Sequence, residues 1–181
     1  MSTRKDPRLE GWDYSKNGAY FLTFCTLHRE PTLASIPYSH TFHAPSVRLT
    51  PLGESVEHQL HELERYYPWM HLVHYAIMPN HVHLLVLIED AGAGASGTPP
   101  PTQKLVGAGL PDRPNRANQK IPALISTLKR LTNRACGRQL WQRSYYDHII
   151  RDENDFSRIW TYIDNNPKQW ELDRYYREGM P

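Results

Sequence analysis

The stretch from Leu72 to Ile88 constrains the fold more than any other part of the chain. It runs Leu72-Val73-His74-Tyr75-Ala76-Ile77-Met78, then Pro79-Asn80, then His81-Val82-His83-Leu84-Leu85-Val86-Leu87-Ile88. Two apolar runs of strand length joined by so short a turn satisfy their backbone polar groups by pairing with each other, which predicts an antiparallel hairpin at the centre of a sheet. Residues 18 to 27, Gly-Ala-Tyr-Phe-Leu-Thr-Phe-Cys-Thr-Leu, predict an earlier strand buried on both faces, bracketed by Asn17-Gly18 and His28-Arg29-Glu30-Pro31. Residues 31 to 48 carry Pro, Ser, Thr and Tyr without a period and read as loop. Thr50-Pro51 is an N-cap with proline at the first helical position, and Leu52, Val56, Leu60 and Leu63 then recur at helical spacing as far as Tyr66-Tyr67-Pro68.

After the hairpin the composition changes. Residues 89 to 118 are dominated by Gly, Ala, Pro and Asn, with three consecutive prolines, and read as a flexible insert that cannot bury enough apolar area to order itself. Ile121, Leu124, Ile125, Leu128, Leu131 and Ala135 then form a helical stripe closed by Gly137. Trp141 to Ile150 reads as a further strand. Arg151-Asp152-Glu153-Asn154 caps a third helix with Phe156, Ile159, Trp160 and Ile163 on one side, and Asn165-Asn166-Pro167 ends it. The order β-α-β-β-α-β-α predicts one α+β domain over residues 1–181: a ferredoxin-like or RRM-like split βαβ sandwich, with an antiparallel sheet of about four strands and helices packed on it.

Of the 181 residues, 39% are hydrophobic, enough for one core. The longest apolar run, Leu84 to Ile88, is far short of the roughly 20 residues of a membrane span, and no signal segment follows the polar N-terminus, so a cytoplasmic protein is expected. Two cysteines, Cys25 and Cys136, make neither a disulfide framework nor a Cys-based zinc site, so any metal must be held by His, carboxylate or amide groups. The formal net charge is only +2, yet residues 103 to 151 carry ten Lys or Arg against Asp112 and Asp147, leaving an acidic remainder. Lys129, Arg130, Arg134, Arg138 and Arg143 would form a cationic face suited to a sugar-phosphate backbone, with Tyr14, Trp141 or Tyr145 to stack on bases; a merely solvated helix face is the alternative.

His81-Val82-His83 lies on a strand, where alternate residues share a face, so both imidazoles point the same way about 7 Å apart along the backbone. Two nitrogens so placed can chelate one divalent ion, although a bare His-x-His also occurs as ordinary strand histidines and leaves the metal unspecified. The nucleotide-hydrolase pattern of three alternating histidines is excluded, because Leu85 stands where the third would be.

The run Ala76 to Val86, together with Leu140-Trp141-Gln142-Arg143-Ser144-Tyr145-Tyr146-Asp147-His148-Ile149-Ile150-Arg151 and Tyr162-Ile163-Asp164-Asn165-Asn166-Pro167, resembles the REP-associated tyrosine transposases. These are domesticated relatives of the single-tyrosine HUH transposases of small insertion sequences. The resemblance spans about residues 14 to 172 apart from the insert, which departs from the compact family pattern. It implies that His81 and His83 hold a divalent metal, Mg or Mn, and that Tyr162 attacks a phosphodiester in single-stranded DNA at imperfect hairpins, leaving a 5′-phosphotyrosine. No nucleotide cofactor is then required. Asn166, four residues after Tyr162, would share its side of the helix and complete the metal site, although Asn-Pro is also a helix terminator in its own right. Tyr162 falls roughly 110° from the middle of the apolar stripe, bordering the core. His148 is a candidate to support the ligands from behind, or a structural residue. The resemblance leaves the oligomeric state open, since insertion-sequence relatives are dimers that exchange their last helix whereas domesticated ones can act as monomers; a monomer is expected. Two other functions fit the residues alone: a hairpin-binding module without chemistry, and a phosphoesterase that activates water at His81 and His83.

Overall fold

The computed structural model describes residues 13–37, 46–89 and 119–176. In chain order the elements are β1 (Gly18–Cys25), β2 (Ala34–Ser35), β3 (Arg48–Leu49), α1 (Pro51–Tyr66), β4 (Met70–Ile77), β5 (His81–Ile88), α2 (Lys120–Cys136), β6 (Tyr146–Ile149) and α3 (Glu153–Asn165), followed by a 3-10 turn at Pro167–Leu172. The main sheet has the order β4-β5-β1-β6, and every adjacent pair in it is antiparallel. The units β1-α1-β4 and β5-α2-β6 therefore interleave, each leaving room for one strand of the other. This is the α+β split βαβ arrangement that the element order predicts.

The pleat sorts the side chains into two layers. Tyr20, Leu22 and Phe24 of β1, with Val82, Leu84, Val86 and Ile88 of β5, form one core with Val56, Leu60 and Leu63 of α1 and Ile121, Leu124, Ile125 and Leu128 of α2. Phe21 and Leu85 point to the other face, where Ile159 and Ile163 of α3 cover them. Because Thr23 pairs with His83 and Cys25 with His81, both histidines lie on the α3 side.

The helix ends follow local chemistry. Thr50 Oγ1 accepts the Gly53 N–H (3.2 Å) and Asp152 Oδ1 accepts the Asp155 N–H (2.8 Å), each satisfying an orphan donor of the first turn. Gly137 ends α2 at φ 67°, a left-handed conformation that glycine adopts without strain.

Several expectations are corrected. The hairpin is present, but only β5 is central; β4 is an edge strand with an irregularity between Leu72 and His74, and Glu64 accepts the Leu72 N–H at 2.7 Å. The stretch read as loop contains the ribbon β2-β3. The strand expected over Trp141 to Ile150 contracts to Tyr146–Ile149, because Trp141 turns into the core: its indole N–H donates to Thr132 Oγ1 at 2.6 Å and its ring meets Phe24 edge-on. Trp160 is not part of the buried stripe but 38% exposed, stacked on His74 with ring centres 4.3 Å apart. The insert at 89–118 lies, apart from Glu89, outside the described residues. No helix among them is long and apolar enough to cross a membrane.

Candidate active and metal site

At the turn end of β5 the register brings Thr23, His81 and His83 into the layer beneath α3. His81 and His83 are both 0% exposed, with their Nε2 atoms 2.9 Å apart. Each ring is held from behind. His81 Nδ1 lies 2.8 Å from Asn80 Oδ1. The Asn80 amide is oriented by donating to the Tyr175 and Arg29 carbonyls, so its oxygen faces the ring and His81 carries its proton on Nδ1. The lone pair of His81 Nε2 is thereby aimed at His83. His83 Nδ1 lies 2.8 Å from Thr23 Oγ1, and a hydroxyl serves either tautomer. His83 can thus donate from Nε2 to His81, or donate from Nδ1 to Thr23 and present a second lone pair. Burial, and next the charge of Arg174, push His81 down to about 3. Burial and the neighbouring His81 hold His83 well below the usual imidazole range. Both rings are neutral at neutral pH, the form that binds metal.

Asp173 joins this pair: one of its carboxylate oxygens and one nitrogen of each ring all lie within 4.8 Å of one another. Asn166 Nδ2 donates to Asp173 Oδ2 at 2.8 Å. The Asn166 amide is near enough to His81 and Tyr162 to influence the titration of both, yet its buried Oδ1 accepts no hydrogen bond of normal geometry. Tyr162 Oη lies 3.4 Å from His83 Nε2, and its ring is 37% exposed. Burial, with the Asp173 charge adding to it and Arg174 opposing, pushes the phenol up to about 12. The C-terminal segment closes over the site: Tyr175 lies on His81 with ring centres 4.5 Å apart, and the Arg174 guanidinium sits between the Tyr175 and Tyr146 rings.

His81, His83, Asn166 and Tyr162 are therefore brought together. The other sequence candidates lie elsewhere. Arg130, Arg134, Arg138 and Arg143 are exposed, but α2 packs on the sheet face opposite α3. Lys129 Nζ is occupied by the chain itself, donating to the Gln142 and Ser144 carbonyls at 2.8 and 3.1 Å. Tyr14, Trp141 and Tyr145, expected to stack on bases, are buried in the α1-α2 core. His148 bonds Asp155 at 2.7 Å rather than His81 or His83.

Sequence reasoning missed Asp173, Asn80, Thr23 and Arg174. Only Asn80 carried a signal, as the residue before His81 in a tight turn. The others reach the site by register or by the path of the last segment.

No family model matches the chain. Over 178 residues it is 30% identical to an uncharacterized protein of Haemophilus influenzae, a match spanning 96% of this chain and 93% of that one. Its fold is similar to that of a REP-associated tyrosine transposase solved bound to a REP hairpin, with a TM-score of 0.58 and 17% identity over 96% of this chain and 77% of that one. The chain thus belongs to one family with the Haemophilus influenzae protein, built on the fold of the REP-associated tyrosine transposases.

Proposed function

We propose that the protein is a metal-dependent single-strand DNA endonuclease and strand transferase that acts at hairpins through a tyrosine-linked intermediate. The observation that carries this reading is the approach of the Tyr162 hydroxyl to within 3.4 Å of His83, one of two buried neutral imidazoles whose lone pairs can converge. The donor set fits a divalent ion such as Mn or Mg. It offers two imidazole nitrogens, the Asp173 carboxylate and the Asn166 amide oxygen, a buried acceptor without a donor. A cation held by these four residues would polarise the scissile phosphate and offset the charge gathering on its oxygens.

The protein's own residues account for the rest. A phenol raised to about 12 is almost wholly protonated at neutral pH, so Tyr162 needs its proton removed or its phosphate activated. Asn80 and Thr23 hold the imidazoles in place, and Asp173 fixes the Asn166 amide beside the phenol. In the step itself Tyr162 Oη bonds to phosphorus as the bond from phosphorus to the 3′ oxygen breaks. The phenolic proton ends, in net terms, on that 3′ oxygen. The downstream strand stays on the enzyme as a 5′-phosphotyrosine, and attack by another 3′-hydroxyl reverses the step and rejoins the DNA. Hairpin DNA as the partner is supported by the REP hairpin bound to the protein of like fold.

The test uses a labelled hairpin oligonucleotide with single-stranded flanks, Mn or Mg, and a denaturing gel. The parent protein should give a covalent protein–DNA adduct, and Tyr162→Phe should lose it while still binding the hairpin. A free 5′-phosphate with no adduct would instead mean hydrolysis by water. Binding without any cleavage would mean a binding module.

A further inference from the structure

Tyr162 stands on a ridge between two clefts. One contains Asn166 and Asp173. The other, about 350 Å³, opens between α3 and the edge strand β6 and is lined by Phe21, Tyr146, His148, Arg158, Tyr162 and Arg174. Resting on the proposed function, we infer that this second cleft is a nucleotide subsite beside the reacting phosphate. In it the Tyr146 ring stacks on one base of the single strand, and Arg158 and Arg174 meet the adjoining phosphates.

The cleft has a built floor. Phe21 is 5% exposed and meets both Tyr146 and Tyr162 edge-on, with ring centres 6.4 and 5.9 Å apart. Those two rings therefore stand up from the sheet rather than lying in it, and Tyr146 is left 39% exposed. The pleat explains why Tyr146 rather than Tyr145 is presented here: Tyr145 enters the α1-α2 core, and the next residue points the other way.

The charges on the rim are held in place. Asp155 accepts from both His148 Nε2 and Arg158, which sets their positions at the N-terminal end of α3. The Arg174 guanidinium lies 5.5 Å from the Tyr146 ring centre, so one cation borders both the ring and Tyr162. An exposed aromatic face flanked by guanidinium groups suits a single-stranded nucleic acid, since every base has a π-face and every linkage a charge. Arg174 and Tyr162 line both clefts, which places the reacting phosphate at their junction and its neighbouring nucleotide over Tyr146.

The test is binding, separated from chemistry by the Tyr162→Phe background. Hairpins with single-stranded flanks carry 2-aminopurine at successive flank positions, and its fluorescence is titrated with protein. One position should be strongly quenched. Tyr146→Ala should abolish that quenching and weaken binding about tenfold, Tyr146→Phe should preserve both, and Arg158→Gln should weaken binding without moving the quenched position. Melting curves for each variant separate unfolding from a local weakening of the subsite. Strong binding with quenching that Tyr146→Ala leaves unchanged would overturn the subsite and leave the proposed function standing. Failure of the parent background to bind any such DNA would instead count against the function itself.

Discussion

A buried pair of imidazoles ties stability to pH through its protons. His81 is pushed down to about 3 and His83 lies well below its ordinary value, whereas both titrate near 6.5 in the unfolded chain. The unfolded state then binds more protons as the solution becomes acidic, so the contribution of the pair is complete above about pH 6.5 and is lost as pH falls toward 3. The urea midpoint of the metal-free protein should decline steadily from pH 6.5 to 4.5; a flat midpoint would mean that the rings protonate freely in the fold. Asp173 permits a second test. Asp173→Asn keeps the size of the side chain but removes its charge, and Mn binding followed by electron paramagnetic resonance should weaken by about tenfold or more. Unchanged binding would remove Asp173 from the ligand set.

Among the elements, α1 depends on one close approach. A Cβ at Gly53 would lie 2.0 Å from the Leu33 carbonyl oxygen, a backbone atom that cannot swing aside. Alanine, which usually favours a helix over glycine by about 1 kcal/mol, should here destabilise by about 2 kcal/mol, measured by urea unfolding. A gain in stability would show that α1 can slide off the Leu33 segment. Helix α3 makes the complementary case, because Tyr162 is only as well placed as the helix that carries it. Ile163 is 1% exposed beneath α3, so Ile163→Ala should cost about 2 to 4 kcal/mol and slow adduct formation together. Loss of stability with unchanged adduct formation would mean that the site tolerates movement of the helix.

For the whole molecule, the sheet separates the basic outer face of α2 from Tyr162. The exposed arginines on and just after α2 belong to the side where that helix packs, while Tyr162 and the histidines lie on the other. A hairpin gripped there would have to pass its single strand round the β6 edge to reach Tyr162. Replacing Arg130, Arg134, Arg138 and Arg143 with glutamine should lower the slope of log affinity against log salt by about 0.9 for each phosphate that is no longer neutralised. Cleavage of a short strand without a stem should hardly change. An unaltered slope would make this basic face a solvated surface.

Helix starts, caps, the hairpin and the outward lean of Tyr162 were legible in the sequence because each depends on residues within a few positions of one another. Thr50, Asp152 and Gly137 set their boundaries through backbone groups in the same turn, and His81-Val82-His83 shares a face because the strand period is two. What the sequence could not reveal depends on which distant segments meet. Asp173 reaches histidines 90 and more residues earlier in the chain through the path after α3. Lys129 turns back to the carbonyls of the loop that follows α2, and Trp141 fills a gap beside Phe24 instead of extending β6. Periodicity and capping are local and can be read along the chain, whereas register, core filling and the last partner of a buried charge are settled when the layers close.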